Sequence, residues 1–246
     1  MRAPELAGRL KRLLFPARCV VCGKVTPDGG DFCSICDLSG EYISADCCEL
    51  CGEEKKSCAC RGRKNHFEKL CAPFYYRGSV KEMVRNFKFR GKQWLREPLS
   101  RYMAERAEEK LNVPEIDVVT CVPFTKKQLR RRGYNQSGLL AEGVARDLGL
   151  PFDGELLVKL YDINAQHRTA KANRAGNVMG IFHVPCPEKV RGRTVLLCDD
   201  IKTTGATLDE CSKMLILNGA YKVYGLCLAV AGRNEAGNGR QEVWQD

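Results

Sequence analysis

Val195-Leu-Leu-Cys-Asp-Asp-Ile-Lys-Thr-Thr-Gly-Ala-Thr-Leu208 decides the fold. It begins in a continuous apolar run, Thr194 to Cys198, of the kind that forms a strand buried on both faces. The run stops at two adjacent acids, Asp199 and Asp200. A turn of small residues, Thr203, Thr204, Gly205, Ala206 and Thr207, then opens a helical pattern from about Ala206 to Asn218. Backbone N–H groups at the start of such a helix point into the turn, and the helix dipole favours an anion there. Gly205 lets the backbone pass close to a ligand, and the three threonines offer hydroxyl donors. A phosphate monoester fits that cup. The paired acids, one step away, can accept hydrogen bonds from sugar hydroxyls. Helix capping alone accounts for neither the doubled acid nor three threonines around one glycine. A nucleotide P-loop is excluded, because no Gly-Lys-Ser/Thr ending is present.

Working outward, the same strand–helix alternation recurs. The pattern predicts a strand within residues 67 to 76, followed by helical spacing at Val80, Met83, Val84 and Phe87. Next come a helix over Leu95 to Leu111 with Pro98 in its first turn, a buried strand over Ile116 to Val122, and a helix over Gln136 to Leu148. A last strand is expected from Lys222 to Val230. Unalternating apolar strands separated by helices indicate an α/β fold, a parallel sheet flanked by helices. No apolar run approaches the roughly 20 residues of a membrane helix. Residues 1 to 15 interleave Leu6, Leu10, Leu13 and Leu14 with Arg9, Lys11 and Arg12, a short basic amphipathic lead rather than a signal peptide. A cytoplasmic location follows.

Ten of the fifteen cysteines lie between Cys19 and Cys71. Clustered pairs in a reducing compartment point to metal rather than to disulfides. Cys19-x-x-Cys22 with Cys33-x-x-Cys36 has the two-knuckle spacing of a tetrahedral zinc ribbon. Cys48-x-x-Cys51 with Cys58-x-Cys60 repeats it in shortened form, with Cys47 adjacent. That set leaves open its own ligand assignment, a second zinc, and an interleaving of the two sets. Such closed sites hold structure rather than perform chemistry. Cys121, Cys186, Cys198, Cys211 and Cys227 have no metal spacing and read as core residues.

The net charge of +10 is concentrated, with seven Lys or Arg against two Glu between Lys81 and Arg101. Lys126, Lys127, Arg130, Arg131 and Arg132 follow with no acid. This second run comes just after the strand ending near Pro123 and Phe124, where ligands of a parallel sheet gather. A basic loop there would hold a second anion such as pyrophosphate.

The first segment resembles the phosphoribosyl pyrophosphate motif of type I phosphoribosyltransferases, with Cys198 and Lys202 where that family has apolar residues. The resemblance narrows further. Val122-Pro-Phe124, then Arg131-Arg-Gly-Tyr-Asn-Gln136, then Gln166, Arg174-Ala-Gly-Asn177 and Gly180-Ile-Phe182 are similar, in matching order, to the ComF family. That family also carries an N-terminal zinc ribbon. The resemblance runs from about residue 16 to 231 and, with the basic lead (1–15), divides the chain into a zinc-ribbon domain, single or double (16–66), and a phosphoribosyltransferase-like domain (67–246).

It further implies phosphoribosyl pyrophosphate bound with Mg²⁺. The family pattern assigns the ribose hydroxyls to Asp199 and Asp200 and the 5′-phosphate to the turn from Thr203 to Thr207. Pyrophosphate falls to Pro123, Phe124, Arg131, Arg132 and Arg174, under a closing segment, 162–182, that carries Gln166 and Asn177. Lys202 is expected as a cation near the entrance. Transfer or sensing of the phosphoribosyl group is one implied function. The other is a DNA-handling role in natural transformation, with single-stranded DNA and competence proteins as partners, bound through the ribbon and through Lys88, Arg90, Arg131 and Arg132. The acceptor and the oligomeric state leave no pattern in the sequence.

Overall fold

The computed structural model describes residues 16–36, 38, 40–56, 58, 60, 64–161 and 180–232. The basic lead and the residues Gln166, Arg174 and Asn177 lie outside them. No helix among the described residues is long and apolar enough to cross a membrane.

The elements in chain order are β1 (Lys69–Cys71), β2 (Phe74–Tyr75), α1 (Gly78–Phe89), α2 (Arg96–Lys110), β3 (Val118–Cys121) and α3 (Lys126–Arg132). Then come α4 (Gln136–Leu148), β4 (Val158–Lys159), β5 (Phe182–His183), β6 (Thr194–Lys202), α5 (Ala206–Leu217) and β7 (Lys222–Val230). The main sheet runs β1-β7-β6-β3, with β2 also on β7 and every pairing parallel. One strand expected within residues 67–76 is thus two, split at Pro73, which has no N–H to give a ladder. The pair β4–β5 forms a separate antiparallel ribbon.

Strand residues alternate between two cores. Val119, Cys121, Leu196, Cys198, Tyr224 and Leu226 join the residues of α1, α2 and α4. Val118, Val122, Val195, Leu197, Val223 and Cys227 join Leu208, Cys211 and Leu215 of α5. The sheet is therefore covered on both faces, the physical reason its strands read as unbroken apolar runs. Of the five cysteines without metal spacing, Cys121, Cys198, Cys211 and Cys227 are buried in these cores, and Cys186 is half-buried.

Two expectations change. The basic stretch after β3 is helix α3, not a loop. Thr125 and Gln128 form its capping box, in which Thr125 Oγ1 accepts from Gln128 N at 3.1 Å and Gln128 Oε1 accepts from Thr125 N at 3.0 Å. The second change concerns β6, which does not end at the acids. It continues beside β7 to Lys202↔Val230, while its pairing with β3 stops at Cys121↔Cys198. Asp199 and Asp200 therefore sit on a strand that overruns its neighbour, where one edge is open to side chains from other elements.

Candidate functional site

The acid pair is built from β6, α1 and α4. Ser137, the second residue of α4 and 1% exposed, donates its hydroxyl to Asp199 Oδ1 at 2.9 Å. The backbone N–H of Asp200 donates to the same oxygen at 2.8 Å. Burial, and then the adjacent charge of Asp200, pushes the Asp199 carboxyl up to about 7, while the Ser137 hydrogen bond works against that rise. Leu196 and Cys198 face the core beneath α1, α2 and α4, and the same phase brings Asp200 to α1. There Lys88 Nζ lies 2.8 Å from Asp200 Oδ2, with side chains 17% and 13% exposed.

The segment Tyr134-Asn135-Gln136, quoted above for its family resemblance, performs a structural task. Asn135 Nδ2 donates to Val122 O, at the end of β3, at 3.0 Å. Tyr134 Oη donates to Phe87 O, and Gln136 Nε2 donates to Lys88 O at 3.4 Å. These three residues tie the tip of β3 to the end of α1 and so set the position of Lys88. Arg132 places its guanidinium 4.6 Å from the centre of the Phe89 ring. Burial and the neighbouring Arg131 draw Arg132 below its ordinary range, and the charge of Asp200 draws it back. Arg131 is exposed, Phe124 half-buried and Pro123 buried.

Behind the acids the threonine turn is open. Thr203, Thr204 and Thr207 are exposed, and Gly205 and Ala206 half-buried. Gly205 takes φ +83°, a left-handed conformation that side chains disfavour, and caps α5 directly. Thr204 Oγ1 accepts from Ala206 N at 3.3 Å. The acids are half-buried and the turn that follows them is exposed, both at the carboxyl end of β6, the end of the strands where open α/β sheets bind ligands.

Lys202 does not stand at the entrance. It is buried, its stem passes behind Gly205, and its ammonium donates to Cys51 O at 3.1 Å with Glu53 Oε1 at 3.7 Å. Lys88 and Arg90, expected as exposed nucleic-acid contacts, are also engaged: Lys88 with Asp200, and Arg90 with Glu82 and Asn86. Lys126, Lys127, Arg130 and Arg131 on α3 stay exposed.

The cysteines resolve into two separate tetrads, Cys19, Cys22, Cys33, Cys36 and Cys48, Cys51, Cys58, Cys60, with the sulfurs of each within 4.8 Å of one another. Cys22 Sγ–Cys33 Sγ and Cys51 Sγ–Cys58 Sγ are each 3.7 Å. A tetrahedron with zinc–sulfur bonds of about 2.3 Å requires sulfurs about 3.8 Å apart, so four thiolates at this spacing fit structural zinc. The sets do not interleave. Cys47 belongs to neither, its sulfur lying 3.5 Å from Arg106 Nη2. In the first knuckle of the second tetrad Gly52 has φ +73°, and a Cβ there would come within 3.2 Å of Val230 Cγ2, so the ribbon packs tightly on the end of β7. A cavity of about 790 Å³ lies between this ribbon and β1, lined by Cys47, Cys60, Lys69 and Lys110 among others, and includes neither the acids nor the threonine turn.

Two contributors escaped the sequence reading. Ser137 carries no local signal, since it is one small residue in a helix. Lys88 was visible only as one of many cations.

A double zinc ribbon domain family matches residues 10–73. A DNA utilization protein of Salmonella typhi, YhgH, is 26% identical over 213 residues, covering 85% of this chain and 88% of that protein. Competence protein F of Haemophilus influenzae is 28% identical over 229 residues, covering 87% of this chain and 98% of that protein. Among solved structures, the purine phosphoribosyltransferase of Pyrococcus horikoshii is similar at 19% identity over 56% of this chain and 73% of that one, with a TM-score of 0.34.

Proposed function

We propose that this chain, similar to the DNA utilization and competence proteins above, is a ComF-family protein that binds phosphoribosyl pyrophosphate with Mg²⁺ and transfers or senses the phosphoribosyl group. The observation that carries the reading is the acid pair at the open edge of β6, continuous with an exposed threonine turn at a helix start. In this reading the turn from Thr203 to Thr207 takes the 5′-phosphate, and Asp199 and Asp200 accept hydrogen bonds from the ribose hydroxyls. Pro123, Phe124, Arg131, Arg132 and Arg174 take the pyrophosphate, and the segment carrying Gln166 and Asn177 closes over the site. Mg²⁺, bound with the substrate, supplies charge neutralisation of the leaving group. As the bond from the anomeric carbon to pyrophosphate breaks, positive charge grows on the sugar and the two carboxylates stabilise it electrostatically. A nitrogen nucleophile then forms the new bond at that carbon. The division into 1–15, 16–66 and 67–246 and the cytoplasmic location belong to the same reading.

Isothermal titration calorimetry with Mg²⁺ and phosphoribosyl pyrophosphate tests it. The wild-type chain should bind, and the doubly substituted Asp199→Ala, Asp200→Ala chain should keep its thermal transition while losing binding. Equal affinity of the two proteins would remove the reading.

The second reading is a DNA-handling role, favoured by what the relatives are named and by the exposed cations of α3. Single-stranded DNA should then bind with an affinity that falls steeply with salt. Replacing Lys126, Lys127, Arg130 and Arg131 should reduce the slope by about 1 for each phosphate left without its cation. A slope unchanged by all four replacements would exclude α3 as the interface.

A further inference from the structure

The ion pair between Lys88 and Asp200 is more than a surface contact. Its two side chains are largely withdrawn from water, and the backbone around Lys88 is held by Tyr134 and Gln136, the latter fully buried. Arg132, stacked on Phe89, the residue after Lys88, feels the charge of the same carboxylate. Two cations therefore flank the acid pair, and both are positioned by the segment that follows β3. An acid pair that only had to grip sugar hydroxyls would need no fixed cation. A hydroxyl donates to a carboxylate whether or not an ammonium is present, and an ammonium at 2.8 Å takes up one of the carboxylate's acceptor positions. A fixed cation is needed if a multiply charged anion must come to rest beside those carboxylates.

Resting on the phosphoribosyl pyrophosphate reading, we infer that Lys88 is a binding residue for the diphosphate part of the substrate, held in place by Asp200 until that anion arrives. The ribose hydroxyls then donate to Asp200 in place of the ammonium, and Lys88 turns its Nζ to the diphosphate oxygens. Asp200 is thus a counterion first and a hydroxyl acceptor second. Lys88 acts on the leaving group alone and makes no demand on the 5′-phosphate, which sits at the other end of the site, in the turn after Lys202.

Three ligands separate the parts of this claim by calorimetry, each with Mg²⁺: phosphoribosyl pyrophosphate, pyrophosphate and ribose 5-phosphate. Lys88→Met should weaken the first two by about 30-fold, as expected for removal of one charge-assisted hydrogen bond, and leave ribose 5-phosphate within about 3-fold of wild type. Lys88→Arg, which keeps the charge and the pair with Asp200, should hold pyrophosphate within about 5-fold of wild type. It also serves as the test protein if Lys88→Met fails to fold. Equal weakening of all three ligands in Lys88→Met would make Lys88 a mere support for Asp200 and overturn the inference, as would no weakening at all. So would a Lys88→Arg chain that folds but loses pyrophosphate. A wild-type chain that binds ribose 5-phosphate and phosphoribosyl pyrophosphate but is indifferent to Lys88 leaves the proposed function standing without this residue. A wild-type chain that binds none of the three removes the proposed function itself.

Discussion

Replacing Ser137 with alanine probes the electrostatics of the acid pair at its source. The hydroxyl donates to Asp199 Oδ1 at 2.9 Å, and the Asp200 N–H donates to the same oxygen at 2.8 Å. Burial and the charge of Asp200 raise Asp199 to about 7 in spite of the serine. An acid lifted above its unfolded range, near 4, keeps its proton in the folded chain while the unfolded chain releases it. Its contribution therefore favours the folded state fully below about pH 4 and is lost as the pH climbs toward about 7. A hydrogen bond to the ionised carboxylate is worth about 2 kcal/mol and one to the neutral acid about 1 kcal/mol. Ser137→Ala should accordingly lower Tm by about 4–8 °C near pH 8.5 and by about 2–4 °C near pH 5. The difference of about 1 kcal/mol corresponds to a further rise of about 0.7 in the Asp199 midpoint. Paired thermal denaturation of wild type and variant at the two pH values measures it, because titrating groups remote from the acid pair, the cysteine ligands included, cancel in the difference. A loss equal at both pH values, or larger in acid, would show that the serine does not stabilise a charged Asp199.

The metal content and the helix packing give two further expectations. Native mass spectrometry should find two zinc ions per chain, and Cys36→Ser or Cys58→Ser should each remove one, since the tetrads share no ligand. Full retention of zinc in either variant would break the assignment. A Cβ placed on Gly143 of α4 would lie 2.5 Å from the Cβ of Ser100 on α2. Gly143→Ala should therefore destabilise by about 1–3 kcal/mol through overpacking, with recovery on adding Ser100→Gly, as followed by urea denaturation. Failure of the second change to recover stability would place the strain elsewhere.

What the sequence disclosed follows the range of the forces involved. Helix α4 and strand β7 match their expected bounds, Gln136–Leu148 and Lys222–Val230, because apolar periodicity is a local property. The two cysteine tetrads were nearly legible, since ligand spacing is local within each knuckle. The open question of interleaving was settled only by how the knuckles fold together. Helix α3 carries a local mark of its own, Thr125 and Gln128 three apart as a capping box, beside five cations whose charge says nothing of helix or loop. The partners of the acid pair were not legible. Ser137 is 62 residues from Asp199, and nothing near either residue announces the meeting. Lys202 was misplaced for the same reason, because its carbonyl partner lies 151 residues away in the ribbon.

That long reach of Lys202 makes the ribbon and the sheet co-owners of one charge. Its ammonium is shielded from water and, among the described residues, is satisfied by groups the ribbon lends it, Cys51 O and Glu53. A fragment trimmed to the sheet alone would strand this cation behind Gly205, where hydrating it means prising open the threonine bend proposed above as the phosphate cradle. Silence from such a fragment would report a wound left by the scissors. A test of this site therefore keeps the second cysteine tetrad together with the sheet.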